Sequence, residues 1–369
     1  MRIMIAGGGT GGHVTPALAI AEELRRRDPL LELVWVGRAG NLEERMCRAA
    51  EIVFRGLLIE GWTRSRSPRM ALTALKLGWS VAKCYFWLRR FQPRAVIGVG
   101  GYASLPLVWT AQRAGIPTYI HEQNRRMGLA NRWCTRRAHR IFLSYADTVG
   151  EYPRERALVT GNPVRRAFLE PPAREEALDR LGLTADLPVV LVCGGSQGAR
   201  TLNRAMESLL QSGQTPAAQF LWMCGREAVN AARKAAAETS SVPVRVFSFI
   251  DDMPAACVAA DVVVSRAGAS STAELAVLGR PSVLVPYPHA ADNHQELNAR
   301  AFAEAGAAIL IPDAQCDAER LGAILRELLA EPVRLAAMAQ AARTLAHPLA
   351  AETIVEQILT DLTERPGSP

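Results

Sequence analysis

The strongest constraint on what this chain can fold into lies in its opening residues. Ile3, Met4, Ile5 and Ala6 form a short apolar strand, Gly7-Gly8-Gly9-Thr10-Gly11-Gly12-His13 follows as a turn, and Val14-Thr15-Pro16 leads into an amphipathic helix. That succession builds a phosphate or anion site. Glycines let backbone N–H groups approach a ligand, and a proline near the first helical turn wastes no donor, so the positive helix end faces what the turn holds. His13 sits at its mouth, where chemistry can happen.

The same logic returns along the chain. A strand over 95–99 ends in Gly100-Gly101-Tyr102, with Pro106 opening the next helix, and a strand over 118–121 ends in Glu122-Gln123-Asn124. At Pro188 the opening is echoed: strand 189–193, turn Gly194-Gly195-Ser196-Gln197-Gly198-Ala199, helix 201–210. A strand over 262–265 runs into Ser265-Arg266-Ala267-Gly268-Ala269-Ser270-Ser271-Thr272 and a helix with Glu274 expected in its first turn. Asp292-Asn293-His294-Gln295-Glu296 opens another helix. Further strands are expected over 31–36, 141–144, 157–160, 220–224, 244–249 and 282–285, with a helix over 38–50, a loop over 56–69 and a helix over 70–90. Beyond 317 everything reads helical, interrupted at Pro348.

Alternating strands and helices predict parallel sheets, and ligands of such sheets sit at the carboxyl ends of strands. A chain of 369 residues exceeds the roughly 250–300 residues at which single cores stop growing, so two similar α/β domains are expected. The breaks are placed at Gly161-Asn162-Pro163 and in the C-terminal helices, giving 1–162, 163–340 and a final helical segment 341–369.

Charge is unevenly spread. Residues 61–146 hold fifteen Lys and Arg against one acid, Glu122, whereas the remainder carries 28 basic and 35 acidic residues. The first half therefore presents a basic field to an anionic partner, nucleic acid or a membrane surface. Within it, the 70–90 helix mixes Leu72, Leu75, Leu77, Trp79, Tyr85, Phe86, Trp87 and Leu88 with Lys76, Lys83, Arg89 and Arg90. This pattern suits either a core helix with solvated cations or an interfacial surface dipping aromatics among anionic head groups. The seven cysteines show no paired or zinc spacing and read as reduced, buried thiols of a cytoplasmic protein. No apolar run reaches the roughly 18 residues of a spanning helix or resembles a signal segment.

Gly7-x-Gly9-x-x-Gly12 also fits the dinucleotide fingerprint of an NAD(P)-dependent oxidoreductase, but Gly37-Arg38 stands where that site wants an acid. The lack of a D-x-D pair leaves diphosphate charge to backbone amides, helix dipoles and arginine, with no metal and no cofactor expected.

The set Gly8-Gly9-Thr10-Gly11-Gly12-His13, Gly100-Gly101-Tyr102, His121-Glu122-Gln123-Asn124, Gly161-Asn162-Pro163-Val164-Arg165, Gly194 to Ala199, Phe249-Ile250-Asp251-Asp252-Met253 and His294-Gln295 resembles the MurG family of peptidoglycan glycosyltransferases. The likeness runs in order from about residue 3 to 300. It implies a GT-B fold, two doubly wound Rossmann-like domains with a cleft between them, an N-terminal acceptor and membrane-associating domain, a C-terminal UDP-GlcNAc domain and a final helix returning to the first. It implies inverting transfer of N-acetylglucosamine from UDP-GlcNAc to the 4-hydroxyl of N-acetylmuramic acid in undecaprenyl-pyrophosphoryl-MurNAc-pentapeptide, at an anionic membrane surface on the cytoplasmic face. Nucleic acid is not an expected partner.

By that likeness Ser196 and the Gly268 to Ser271 loop, Ser270 included, hold the diphosphate. The Ile250 backbone reads uracil, Glu274 binds the ribose hydroxyls, and Gln295 holds the sugar's. Thr10, Gly11, Gly12, Asn124 and Arg165 also face the donor, while His13, Tyr102, Glu122 and Asn124 face the acceptor. Glu274 as a helix-dipole acid and Ser196 as an N-cap are the structural alternatives. Asp251 and Asp252 read as capping acids, and His121, His139, His289 and His347 as structural.

Inverting transfer needs a base for the acceptor hydroxyl and stabilisation of departing UDP. His13 ranks first as the base, because the positive helix end favours the neutral imidazole. Glu122 ranks second, since the surrounding cations make a carboxylate a weaker base. The first loop carries one glycine more than the usual G-G-T-G-G-H, and Asn293-His294 departs from the family's usual residues before the sugar-binding glutamine. A diacylglycerol glycosyltransferase of the same fold and a basic nucleic-acid-binding protein are the competing readings.

Overall fold

The computed structural model describes residues 1–9, 11–59, 68–195, 198–238 and 242–364. The chain forms two compact units: the first comprises residues 1–165 and the segment from His347 onward, and the second runs from Arg166 to Ala346. The breaks expected at 162/163 and 340/341 compare with observed boundaries at 165/166 and 346/347.

In the first unit the order is β1 (Arg2–Ala6), α1 (Gly11–Arg27), β2 (Glu32–Arg38), α2 (Leu42–Ala49), β3 (Val53–Leu57), α3 (Pro68–Phe91), β4 (Ala95–Gly98), α4 (Ser104–Arg113), β5 (Thr118–Glu122), α5 (Leu129–Thr135), β6 (Arg140–Leu143) and β7 (Ala157–Val159). In the second it is α6 (Arg166–Leu169), α7 (Arg174–Leu181), β8 (Val189–Cys193), α8 (Arg200–Gln211), β9 (Gln219–Met223), α9 (Val229–Glu238), β10 (Val244–Phe247), α10 (Met253–Ala259), β11 (Val262–Ser265), α11 (Ala269–Leu278), β12 (Ser282–Leu284), α12 (His294–Glu304), β13 (Ala308–Leu310), α13 (Ala318–Ala330) and α14 (Pro332–Thr344). A last helix, α15 (Ala350–Glu364), belongs to the first unit.

All strands pair in parallel. The sheet orders are β3-β2-β1-β4-β5-β6-β7 and β10-β9-β8-β11-β12-β13, so the second sheet repeats the first up to its last strand. Each is doubly wound, and the direction of winding reverses between β1 and β4 in one unit and between β8 and β11 in the other. These switch points are where open α/β sheets bind ligands.

Both faces of each sheet are covered, so the central strands are apolar throughout rather than alternating. In β1, Ile3 and Ile5 pack toward α1 and α15, with Leu18, Ile354 and Ile358, while Met4 and Ala6 pack toward α3 and α4, with Leu88 and Leu107. Asp361 fastens α15: Arg140 grips its carboxylate with two 2.9 Å bonds, and Gln357 donates a third.

Two expectations need correction, and one strand was not anticipated. Val53–Leu57 is an edge strand where a helix–loop passage was expected; it pairs with β2 although Arg55 and Gly56 dilute its apolar signal. Ala308–Leu310 is a strand, too short at three residues to stand out. Helix α1 begins at Gly11, so Pro16 lies in its second turn and removes one interior hydrogen bond instead of sparing an end donor.

Candidate active site

In the first unit the turns after β1 and β4 meet. Gly101 has φ +77°, and a Cβ there would lie 2.1 Å from the carbonyl oxygen of Gly8; on Gly100 (φ +84°) it would lie 3.1 Å from the His13 ring. Glycine is therefore required for conformation and for closeness. The buried Trp35 indole on β2 donates to the Gly7 carbonyl (3.0 Å) and anchors where β1 leaves the sheet.

His13 stands in the first turn of α1, half-buried, with Nδ1 3.0 Å from the Val99 carbonyl oxygen and 3.1 Å from Gln123 Oε1. A carbonyl oxygen only accepts, so Nδ1 carries a proton, and in the neutral ring Nε2 is the nitrogen with the lone pair. Gly11 and Gly12 are the two residues before it, Gly11 O accepting from the Thr15 hydroxyl (2.9 Å). Tyr102, half exposed, follows the Gly100-Gly101 turn. Thr10 lies outside the described residues.

Glu122 is the last residue of β5 and is 1% exposed. Its Oε1 accepts from the Asn124 backbone N–H (3.0 Å) and Asn124 Nδ2 (3.2 Å), and its Oε2 from the Gly128 N–H and Asn131 Nδ2, both at 2.8 Å. The four lone-pair positions of the carboxylate are thus filled by N–H donors. Asn131, on α5, also donates to the His121 carbonyl (3.1 Å). The sequence reading missed α5 and Asn131, because nothing local marks them. His121 is fully buried, and burial pulls its imidazole down to about 4, so it is neutral. Arg165 is the half-buried last residue of the first unit.

In the second unit the turn after β8 packs equally tightly: a Cβ on Gly198 (φ +78°) would lie 2.2 Å from the Cys224 carbonyl oxygen. Ser196 and Gln197 lie outside the described residues. At the neighbouring strand end, Gly268 precedes α11, whose second residue is Ser270, and buried Asn298 of α12 fastens the turn by donating to the Ala267 carbonyl (3.1 Å).

Glu274 is the sixth residue of α11, in its second turn and not its first, so the helix-dipole alternative loses its geometry. Burial pushes the Cys193 thiol up to about 12, and the Glu274 charge adds to this. Among the described residues the Ile250 N–H donates to the Met223 sulfur, at 3.4 Å, a weak acceptor that an incoming carbonyl outcompetes. Gln295, second in α12, accepts from the Tyr287 N–H through Oε1 (2.9 Å). Asn293 and Asp292 before it hold left-handed backbones, φ 55° and 51°. Asp252 caps α10 through the Ala255 N–H (3.2 Å), as expected of a structural acid.

Arg266 ties this region together. It donates to the Val285 and Pro286 carbonyls (3.1 and 3.2 Å) and to Asp313, which also accepts from the Thr201 hydroxyl.

On α3, Cys84 and Leu88 face the core, while Leu75, Trp79 and Phe86 are 71%, 62% and 63% exposed along one stripe. Lys83 lies over the Trp79 ring and Arg89 over that of Tyr85. One face of the helix is thus core, and the other presents exposed aromatics and cations. Among the described residues, no helix is long and apolar enough to cross a membrane.

Two family models match: the glycosyltransferase family 28 N-terminal domain over residues 3–143 and the family 28 C-terminal domain over residues 189–354. A UDP-N-acetylglucosamine–N-acetylmuramyl-(pentapeptide) pyrophosphoryl-undecaprenol N-acetylglucosamine transferase of Desulforudis audaxviator is 40% identical over 365 residues, covering 97% of this chain and 98% of that protein. The same-named protein of Porphyromonas gingivalis is 41% identical over 362 residues, covering 97% and 95%. The crystal structure of Acinetobacter baumannii MurG superposes with a TM-score of 0.73 at 29% identity, covering 97% of this chain and 99% of that one. A UDP-GlcNAc 2-epimerase from Neisseria meningitidis, 14% identical with a TM-score of 0.68, shares the fold.

Proposed function

The chain belongs to glycosyltransferase family 28, and from that premise we propose how its own residues carry out the reaction its relatives are named for. It transfers N-acetylglucosamine from UDP-GlcNAc to the 4-hydroxyl of the MurNAc unit of undecaprenyl-pyrophosphoryl-MurNAc-pentapeptide, with inversion. The observation that carries the chemistry is the fixed tautomer of His13. With Nδ1 donating to Val99, Nε2 is the nitrogen that takes the proton as the acceptor oxygen attacks the anomeric carbon. The glycine turns at the β1/β4 switch point and Tyr102 bind the acceptor beside it. Glu122 shapes the 122–131 loop and presents Asn124, rather than acting as a second base.

The donor is held in the second unit. The Ser270 turn and the amino end of α11 take the diphosphate and stabilise UDP as it leaves. Ile250 reads the uracil, Glu274 the ribose and Gln295 the sugar hydroxyls, with Thr10, Gly11, Gly12, Asn124, Arg165 and Ser196 completing the donor contacts. The exposed stripe of α3 and its cations seat the enzyme peripherally on the anionic cytoplasmic leaflet that carries the acceptor.

The test is UDP release from UDP-GlcNAc, offered either a lipid-linked MurNAc-pentapeptide or diacylglycerol. Release with the first acceptor alone supports this reading; release with diacylglycerol alone transfers the chain to a lipid glycosyltransferase of the same fold.

A further inference from the structure

We propose that Gln123 is a positioning residue that, together with the Val99 carbonyl, fixes which ring nitrogen of His13 accepts the proton, and that His121 in turn orients Gln123. The proposal deepens, and rests on, the reading of His13 as the base.

One oxygen joins the two side chains. The Val99 carbonyl lies 2.7 Å from Gln123 Nε2 and 3.0 Å from His13 Nδ1, and it accepts from both. The Gln123 amide is thereby oriented, its NH2 toward Val99 and its Oε1 toward the His13 Nδ1–H at 3.1 Å. Its second N–H points at His121 Nδ1 (3.2 Å), so that nitrogen is the unprotonated one, and the His121 proton sits on Nε2, facing the Gly161 carbonyl (3.3 Å) with the Ser144 hydroxyl at 3.5 Å. The two imidazoles are thus locked in opposite tautomers through one glutamine. Reversing either ring leaves two acceptors, or two donors, facing each other.

Gln123 is 1% exposed and His121 fully buried. Two apolar side chains of similar shape would fill this layer without the cost of burying polar groups, and the bonds of the pair lead toward His13. The chain of contacts ends at Gly161 (φ +83°), where a Cβ would lie 2.1 Å from that of His347. Among the described residues, the titratable groups around His13 are His121 and, beyond the Asn131 amide, Glu122, both from β5; Glu43, fully buried, backs Gly8 from α2.

The test compares kcat, donor KM and the pH profile of kcat for the parent, Gln123→Leu, Gln123→Glu and His13→Ala, with UDP binding as the check on folding. Gln123→Leu leaves the Val99 carbonyl as the one remaining acceptor on Nδ1, so tautomer and ring orientation are held less firmly and kcat falls by about 10–100-fold with donor KM within about twofold. Gln123→Glu puts an anion on Nδ1 and favours imidazolium, so the acid limb of the profile moves up by about one pH unit or more. Parental kcat and profile in both variants, with His13→Ala inactive, overturn the proposal and leave His13 as the base. Parental kcat in His13→Ala overturns both. Nitrogen-15 shifts of the His13 ring add a direct readout: Nδ1 protonated in the parent with a larger Nε2-protonated share in Gln123→Leu is expected, and identical shifts in the two proteins refute the proposal.

Discussion

Replacing Glu122 by glutamine separates a structural carboxylate from a catalytic one. Each oxygen of Glu122 accepts from two N–H groups, so whichever oxygen becomes NH2 faces two donors it cannot satisfy. A hydrogen bond to a charged group contributes about 1.5–3 kcal/mol, so losing two costs about 3–6 kcal/mol. For a unit of this size each kcal/mol moves the melting temperature by about 2–4 °C, which gives a drop of about 6–24 °C. Thermal unfolding followed by circular dichroism reads this directly, and turnover is then measured well below the melting range. We expect a marked loss of stability and a surviving turnover with the parent's pH profile. A variant as stable as the parent whose kcat has fallen about 1,000-fold would refute the reasoning and return Glu122 to the role of base.

Gly101→Ala forces a side chain into a left-handed backbone and onto the Gly8 carbonyl; it should cost at least about 1–2 kcal/mol in unfolding and depress kcat, while UDP binding stays parental by calorimetry. Trp79→Ser with Phe86→Ser removes two side chains about two-thirds exposed, each contributing about 1–2 kcal/mol when covered by lipid; co-sedimentation with anionic vesicles should weaken by about 30- to 700-fold, and unchanged binding would exclude α3 as the seat. Burial works against ionisation of Asp361, but hydrogen bonds from Arg140 and Gln357 and nearby positive charge outweigh it and hold the carboxyl below its usual value. A depressed value stabilises above the unfolded carboxyl range and is lost as pH falls through the folded one. Acid should therefore loosen α15 below about pH 4, and Asp361→Asn, read by hydrogen exchange of α15, should loosen it at neutral pH as well.

Much of this fold is legible because buried parallel strands are written as unbroken apolar runs ending in glycine, as at Ile3 to Gly7 and Val189 to Gly194. Repetition of that signal made the two-unit plan visible, and the sheet orders repeat it. What stayed hidden lacks local contrast: β3 is a half-exposed edge with Arg55 in its middle, and β13 spans three residues. Pro16 misled for a different reason, since α1 starts far enough upstream to absorb it in the second turn. In the site, His13 and Glu122 were visible as residue types in a motif, but what each does depends on partners brought from afar. Gln123 reaches His13 across 110 positions, and Asn131 reaches Glu122 from a helix with no signature of its own.

The most direct test of the account is the turnover of His13→Ala with a lipid-linked MurNAc-pentapeptide and UDP-GlcNAc, with and without added imidazole. The account predicts a kcat lowered by about 100- to 10,000-fold, a donor KM near the parent's, and partial recovery with imidazole as its pH rises. A kcat within a few-fold of the parent, or a loss confined to donor KM, would contradict it.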